Sequence, residues 1–228
     1  MELPELLLID KPFGVSSFGL IRLLRQATGI RKFGHAGTLD PRATGLMLIG
    51  VEKGTKRLAE LVKLDKEYVA LIRLGESRTT GDLEGKIVTQ KAVTEIFSAE
   101  RISATVATLI GTLRLPVSAY SAIKKAGVPM YKRARAAASR DEVVSEVPIR
   151  DMTIYEAEVM SYSPVIVDEV SMLEVSIRFK VASGVYIRSL AEELGKRFGY
   201  PATLAALRRT QVGEYRIENA QTLDSFTV

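Results

Sequence analysis

Apolar and polar positions follow two periods along this chain, and each period changes at a glycine, a proline or a short polar run. The residues ELLLID (5–10) are nearly all apolar and stop at Lys11 and Pro12, which predicts a buried strand entering a loop at Gly14. Behind Ser16 and Ser17, either of which can cap a helix, Phe18, Ile21, Leu24 and Arg25 recur at helical spacing until Gly29. Residues 31–45 read as a loop, LMLIGV (46–51) as a fully buried strand, and EYVALIRLG (67–75) as an alternating strand followed by the polar turn ESRTTGDLEG. Residues 94–110 predict a helix, and MYKRARAAASR (130–140) a basic, Ala-rich one with little core to bury. From 143 on, period two dominates VVSEVPI, TIYEAEVMSY and EVSMLEVSIRFKVASG (169–184), so strands are expected. VYIRSLAEELGKRFG is an amphipathic helix ended by Gly199, and TLAALRRTQVGEY is read as a short helix and a strand. Helices interspersed among long alternating strands, without internal repeats, predict an α+β domain around a mixed, mostly antiparallel sheet rather than a βαβ array. Core patterning is weakest over 115–150, which marks a basic insert there.

Composition narrows the chemistry. With 228 residues, 46% of them hydrophobic and 26% charged, the chain is long enough to bury a core without disulfide or metal staples. Cys is 0 and His is 1, which excludes sites built from several thiolates or imidazoles, a cysteine nucleophile, and a triad with a histidine to spare. The missing cysteines suit a reducing compartment. The longest uncharged run, Ile102 to Leu113, is too short to span a bilayer, and MELPELLLIDKP is acidic where a signal peptide is basic. A cytoplasmic protein is expected. The net charge of +5 is unevenly spread: residues 115–140 hold six lysines and arginines and no acid, residues 11–35 also hold no acid, and residues 141–177 hold nine acids against one arginine. Basic stretches folded onto one face would suit a polyanion, although solvated helix faces can have the same composition.

The most unusual stretch is GHAGTLDPRATG (34–45), which sets the only histidine and a single aspartate among turn residues. Its glycines let the backbone bend and a ligand approach. Asp40 before Pro41 also has the form of a helix start, and His35 that of a loop histidine bonded to a carbonyl. No phosphate-binding glycine motif occurs, and no second acid beside Asp40 is nominated for a two-carboxylate hydrolase.

With this loop, the ordered set IDKPFGVSS (9–17), GHAGTLDPRATGLMLIG, DKEYVALIRLG, YSAIK (120–124), SGVYIRSLAEELG and LRRTQVGEY closely resembles the bacterial tRNA pseudouridine synthases of the TruB type. Those enzymes isomerise the T-loop uridine conventionally numbered 55. The resemblance covers nearly the whole chain and implies the pseudouridine synthase fold, with the insert at about 115–150 as a thumb-like RNA clamp. It implies that Asp40 is the catalytic aspartate, near C1′ and the base while the glycosidic bond breaks. Tyr68 then stacks on the target base and is a candidate for removing the C5 proton, and Arg188 pairs with the aspartate and keeps it ionised. His35 occupies space vacated by the flipped nucleotide, and Tyr186 and Leu207 line the uridine pocket. Lys124, Lys125, Lys132, Arg133 and Arg135 become candidate phosphate contacts. No metal and no organic cofactor are implied, and the partner is the T stem-loop of tRNA, bound by a monomer.

The chemistry fits these residue types. An isomerisation moves no electrons to a carrier and consumes no water, so a carboxylate, a positioned cation and a base-shaped pocket suffice. An aspartate beside an arginine stays ionised at neutral pH and can act as nucleophile or base. Extruding the uridine costs a few kcal/mol of stacking, part of which aromatic pocket residues offset. The chain departs from the family in three ways. RLPVSAYSAIK (114–124) lacks the usual adjacent prolines and preceding glutamine, AAASRDEVVSE (136–146) lacks a glycine-containing pattern, and the sequence stops after TLDSF, where members often carry a small RNA-binding domain. One catalytic domain over 1–228, without that C-terminal domain, is therefore expected. The rival readings are a non-catalytic tRNA binder or folding chaperone using the same pocket, and a guide-dependent synthase within a ribonucleoprotein.

Overall fold

The computed structural model describes residues 3–121, 123–139 and 147–226. In chain order the elements are β1 (Leu6–Lys11), α1 (Ser17–Thr28), β2 (Phe33–His35), β3 (Thr44–Val51), α2 (Leu58–Leu61), β4 (Lys66–Leu74), β5 (Glu76–Arg78), β6 (Ile87–Gln90), α3 (Ala99–Ala107) and β7 (Gly111–Pro116). There follow β8 (Lys124–Lys125), β9 (Val128–Pro129), α4 (Met130–Ala138), β10 (Ile149–Val167), β11 (Val170–Val181), α5 (Ile187–Phe198), β12 (Ala202–Val212) and β13 (Tyr215–Arg216). The chain divides into two compact units. The first comprises Met1–Ala70, Arg178–Gly184 and Ala206–Val228, and the second Leu71–Ile177 and Val185–Ala205. β4, β11 and β12 thus contribute residues to both.

In the first unit the strands run β1-β3-β12-β4-β11, with β2 paired to β3 and β13 to β12. β1 and β3 are antiparallel from Leu6 opposite Gly50 to Lys11 opposite Gly45, whereas β12 runs parallel to β3, Arg209 opposite Gly45. The apolar run of β3 is buried throughout from Gly45 to Val51, as a strand covered on both faces requires. Leu46 and Leu48 pack with Ala36, Leu61 and Val212. α1 begins where the Ser16 hydroxyl accepts the Gly19 N–H at 2.9 Å and ends at Gly29, whose φ of 75° only a residue without a Cβ adopts easily. Its buried stripe is Ser17, Leu20, Ile21 and Leu24; Phe18, expected on that stripe, is 74% exposed.

In the second unit the order is β4-β11-β10-β7, and β10 pairs antiparallel with β7 from Ile149 opposite Pro116 to Ile154 opposite Gly111. The β10–β11 turn places Asp168 and Glu169 at positive φ, the twist that a tight hairpin requires. α3 is capped by Ser98 and buries Ile102 and Val106. α5 ends at Gly199 and buries most of its length, including Leu190, Leu194 and Phe198.

The α+β class and the mixed sheet agree with expectation, and all the antiparallel pairings described here accompany one parallel pairing, β12 with β3. Five details differ. The loop over 31–45 contains β2, and the polar turn after 75 contains β5, which pairs with β6. The helix expected over 94–110 narrows to Ala99–Ala107. The short helix expected at the start of TLAALRRTQVGEY is strand β12, because sheet pairing on β3 outweighs the modest helix propensity of its alanines and leucines. α4, expected to have little core to bury, buries Met130, Ala134 and Ala137, four and seven residues apart and so on one face. Residues 143–146 of the predicted strand VVSEVPI lie outside the described residues.

Candidate active site

Asp40 sits half-buried in the loop between β2 and β3, and the backbones of the residues before and after it are held by residues 11–17. Before it, the buried Ser17 hydroxyl accepts the Leu39 N–H and donates to the Leu39 carbonyl, both at 2.8 Å. After it, the Pro41 carbonyl accepts the Gly14 N–H at 2.9 Å and the Lys11 ammonium at 3.4 Å. Lys11 also donates to the carbonyls of Val15 at 2.6 Å and Pro12 at 3.0 Å, so one cation ties the two loops together. The Ala43 N–H returns to the Asp40 carbonyl at 3.1 Å, closing a turn rather than opening a helix, so the N-cap reading of Asp40 does not hold.

A second buried cation supports the loop from β12. Arg209 is 1% exposed; its Nε donates to the Leu46 carbonyl at 2.7 Å and its Nη2 to the Gly37 carbonyl at 3.2 Å. Its strand approaches so closely that a Cβ on Gly45 would lie 2.3 Å from the Arg209 carbonyl oxygen, at a φ of 105° that other residues rarely adopt. His35, at the end of β2, is half-buried; its Nδ1 is buried without a hydrogen-bond partner, and burial, reinforced by the Arg209 charge, pushes its pKa down. The reading of His35 as a loop histidine bonded to a carbonyl finds no such bond at Nδ1. Burial lowers the Lys11 pKa to about 8, although the neighbouring Asp40 charge pulls it up. Lys66 is lowered to about 8 as well, first by burial and then by Arg209, while its ammonium donates to the Val62 and Leu64 carbonyls.

Tyr68 lies on the inward face of β4, whose alternation buries Lys66, Tyr68 and Ala70 together; Leu207 is half-buried on β12. The first unit therefore carries His35, Asp40, Tyr68 and Leu207. The second carries Tyr186, half-buried at the start of α5, and Arg188 one residue into that helix. Arg188 is 7% exposed rather than a surface cation, and its guanidinium donates to the carbonyls of Thr80 at 3.0 Å and Tyr120 at 3.1 Å and lies 3.6 Å from Asp82. Of the candidate clamp residues, Lys132 is exposed and Arg133 half-buried on α4; the side chains of Lys124, Lys125 and Arg135 lie outside those described.

Sequence reading missed Ser17, Lys11, Arg209 and Asp82. Lys11 had a signal, since the alternation of β1 puts it on the face of Leu7 and Ile9. Arg209 lay in the motif LRRTQVGEY, but a segment read as a short helix and a strand gave no sign which of Arg208 and Arg209 is buried. Among the described residues no group of three or more histidines and carboxylates could hold a metal ion, and no helix is long and apolar enough to cross a membrane.

The model of the TruB family pseudouridylate synthase N-terminal domain matches residues 25–187. A tRNA pseudouridine synthase B of Streptomyces coelicolor is 40% identical over 220 residues, covering 96% of this chain and 71% of that protein. The namesake of Thermobifida fusca is 40% identical over 217 residues, covering 95% and 72%, and that of Corynebacterium diphtheriae 38% identical over 221 residues, covering 96% and 71%. Among solved structures, a chain of an H/ACA ribonucleoprotein bound to a substrate RNA containing 2′-deoxyuridine superposes with a TM-score of 0.66 at 24% identity. A chain of an archaeal box H/ACA complex gives 0.65 at 24%. Both alignments cover nearly all of this chain, 96% and 97%, and about half of the solved chains, 51% and 52%, and at that identity they speak for the fold alone.

Proposed function

Because the chain belongs to the TruB family of pseudouridylate synthases, we propose that it isomerises a uridine of tRNA to pseudouridine, the target being the T-loop uridine numbered 55. The N1–C1′ bond breaks, the base turns within the pocket, C5 joins C1′, and the C5 proton leaves while N1 gains one. Nothing is oxidised and no cofactor is needed.

Asp40 is the catalytic carboxylate in this reading, and the observation that carries it is the grip on the backbone of both its neighbours, Leu39 by Ser17 and Pro41 by Gly14 and Lys11. With the backbone on either side so held, only the two side-chain torsions of Asp40 remain to be ordered when the carboxylate meets the sugar or base. Tyr68 stacks on the uracil and is the candidate acceptor for the C5 proton. Arg188 is the cation that acts with the aspartate, and its own anchoring by Thr80, Tyr120 and Asp82 leaves it little rotational freedom. His35 fills the space left by the extruded nucleotide, as an uncharged ring given its lowered pKa, and Tyr186 and Leu207 line the pocket. Lys132 and Arg133, with Lys124, Lys125 and Arg135, contact phosphates of the T stem-loop. The enzyme acts as a monomer in the cytoplasm.

Release of tritium from tRNA labelled at C5 of uridine tests the proposal, since the product has the mass of the substrate. One tritium per tRNA is expected from the wild type, and none from Asp40→Asn with tRNA binding retained. Binding without release by the wild type would instead favour a tRNA-binding or folding role.

A further inference from the structure

In the unit that carries Asp40, two large apolar rings are left in water. Phe13 is 60% exposed and Phe18 74%. The Arg42 guanidinium lies over the Phe13 ring, its Cζ 5.2 Å from the centroid. The next residue, Gly14, is the one whose N–H holds the Pro41 carbonyl, so ring and guanidinium both stand within two residues of the groups that bracket Asp40. On α1, Phe18, Arg22 and Arg25 are all exposed, and their separations of four and seven residues set them on one helix face. Residues 11–35 contain five lysines and arginines and no acid. Among the described residues Arg22, Arg25, Arg31 and Lys32 have no carboxylate partner.

This combination selects among partners. An apolar protein surface would cover the rings but would leave the arginines desolvated without counter-charge. An unpaired stretch of RNA answers both features, because every base offers a flat face to an aromatic ring or guanidinium and every linkage offers a phosphate. We propose that Phe13 with Arg42, and Phe18, form stacking platforms for unpaired bases of the RNA substrate beside the reacting uridine, while Arg22 and Arg25 contact its phosphates. The inference rests on tRNA being the substrate.

The test is binding of an unmodified tRNA transcript to the full chain in the Asp40→Asn background, where substrate is not consumed. Phe13→Ala and Phe18→Ala are each expected to weaken binding about tenfold, without lowering the melting temperature and with the salt dependence intact. Phe13→Tyr, which keeps a ring, is expected to bind as the parent does. Arg22→Ala combined with Arg25→Ala is expected to flatten the salt dependence by about two ions. Parental affinity in both alanine variants overturns the platforms, and so does an equal loss toward a fully paired RNA hairpin, which offers no free base. If the parent binds no tRNA, the functional reading itself falls; parental binding with indifferent phenylalanine variants overturns this inference alone.

Discussion

At the scale of single residues, the site depends on cations that spend their hydrogen bonds on carbonyls. Lys11 satisfies three backbone oxygens while its charge is disfavoured by burial and favoured by Asp40. An NMR titration of the lysine Cε signals is expected to find Lys11 near 8, and Asp40→Asn to move it lower by removing the favourable charge; an unmoved midpoint would show that the two groups do not interact. The sign carries over to stability. Lys11 and Lys66 have pKa values near 8 in the folded protein and the ordinary 10.5 when unfolded, so the unfolded chain binds more protons between those values. These two groups therefore make folding more favourable as pH rises through that window, and Lys11→Met with Lys66→Met should flatten the rise measured by urea unfolding. Of the proposed site residues, Asp40, Tyr68 and Arg188 were named from motif order, since ordered motifs are specific where single residues are not. Ser17 and Asp82 stayed hidden because short polar side chains that bond to the backbone or to a partner elsewhere leave no periodic trace.

At the scale of elements, period and caps were enough to place α1, β4, β11 and α5, each of which has one strongly apolar face, and an unbroken apolar run placed β3, which is buried from Gly45 to Val51. The elements that escaped are those specified by a partner: three-residue β2 and β5 are strands only because β3 and β6 lie beside them, and β12 takes its conformation from β3. α1 also corrects a detail of pattern reading. Leu24 is fully buried and Phe18 exposed, so Leu24→Ala should cost about 2–5 kcal/mol in denaturant unfolding whereas Phe18→Ala should stay within about 0.5 kcal/mol. Gly45→Ala is expected to be worse than its size suggests, about 3 kcal/mol or more, because it combines an unfavourable φ with a backbone collision against Arg209.

At the scale of the whole molecule, the charge along the chain matters through salt. Neutralising Lys132, exposed on α4, should weaken binding about equally for all tRNAs and reduce the salt slope by roughly one ion; an unchanged slope removes it from the contact list. The two-unit division was not legible in advance, because no linker rich in proline, glycine or serine marks it and the boundaries fall inside strands. Those boundaries have a genetic consequence. The unit bearing Asp40 is assembled from three separate stretches of chain and its companion from two, so no uninterrupted stretch of the gene encodes either. Truncations made by recombination or by a premature stop before codon 206 would deprive the first unit of Leu207 and Arg209 together. A fold threaded in this way is inherited and shuffled as one block.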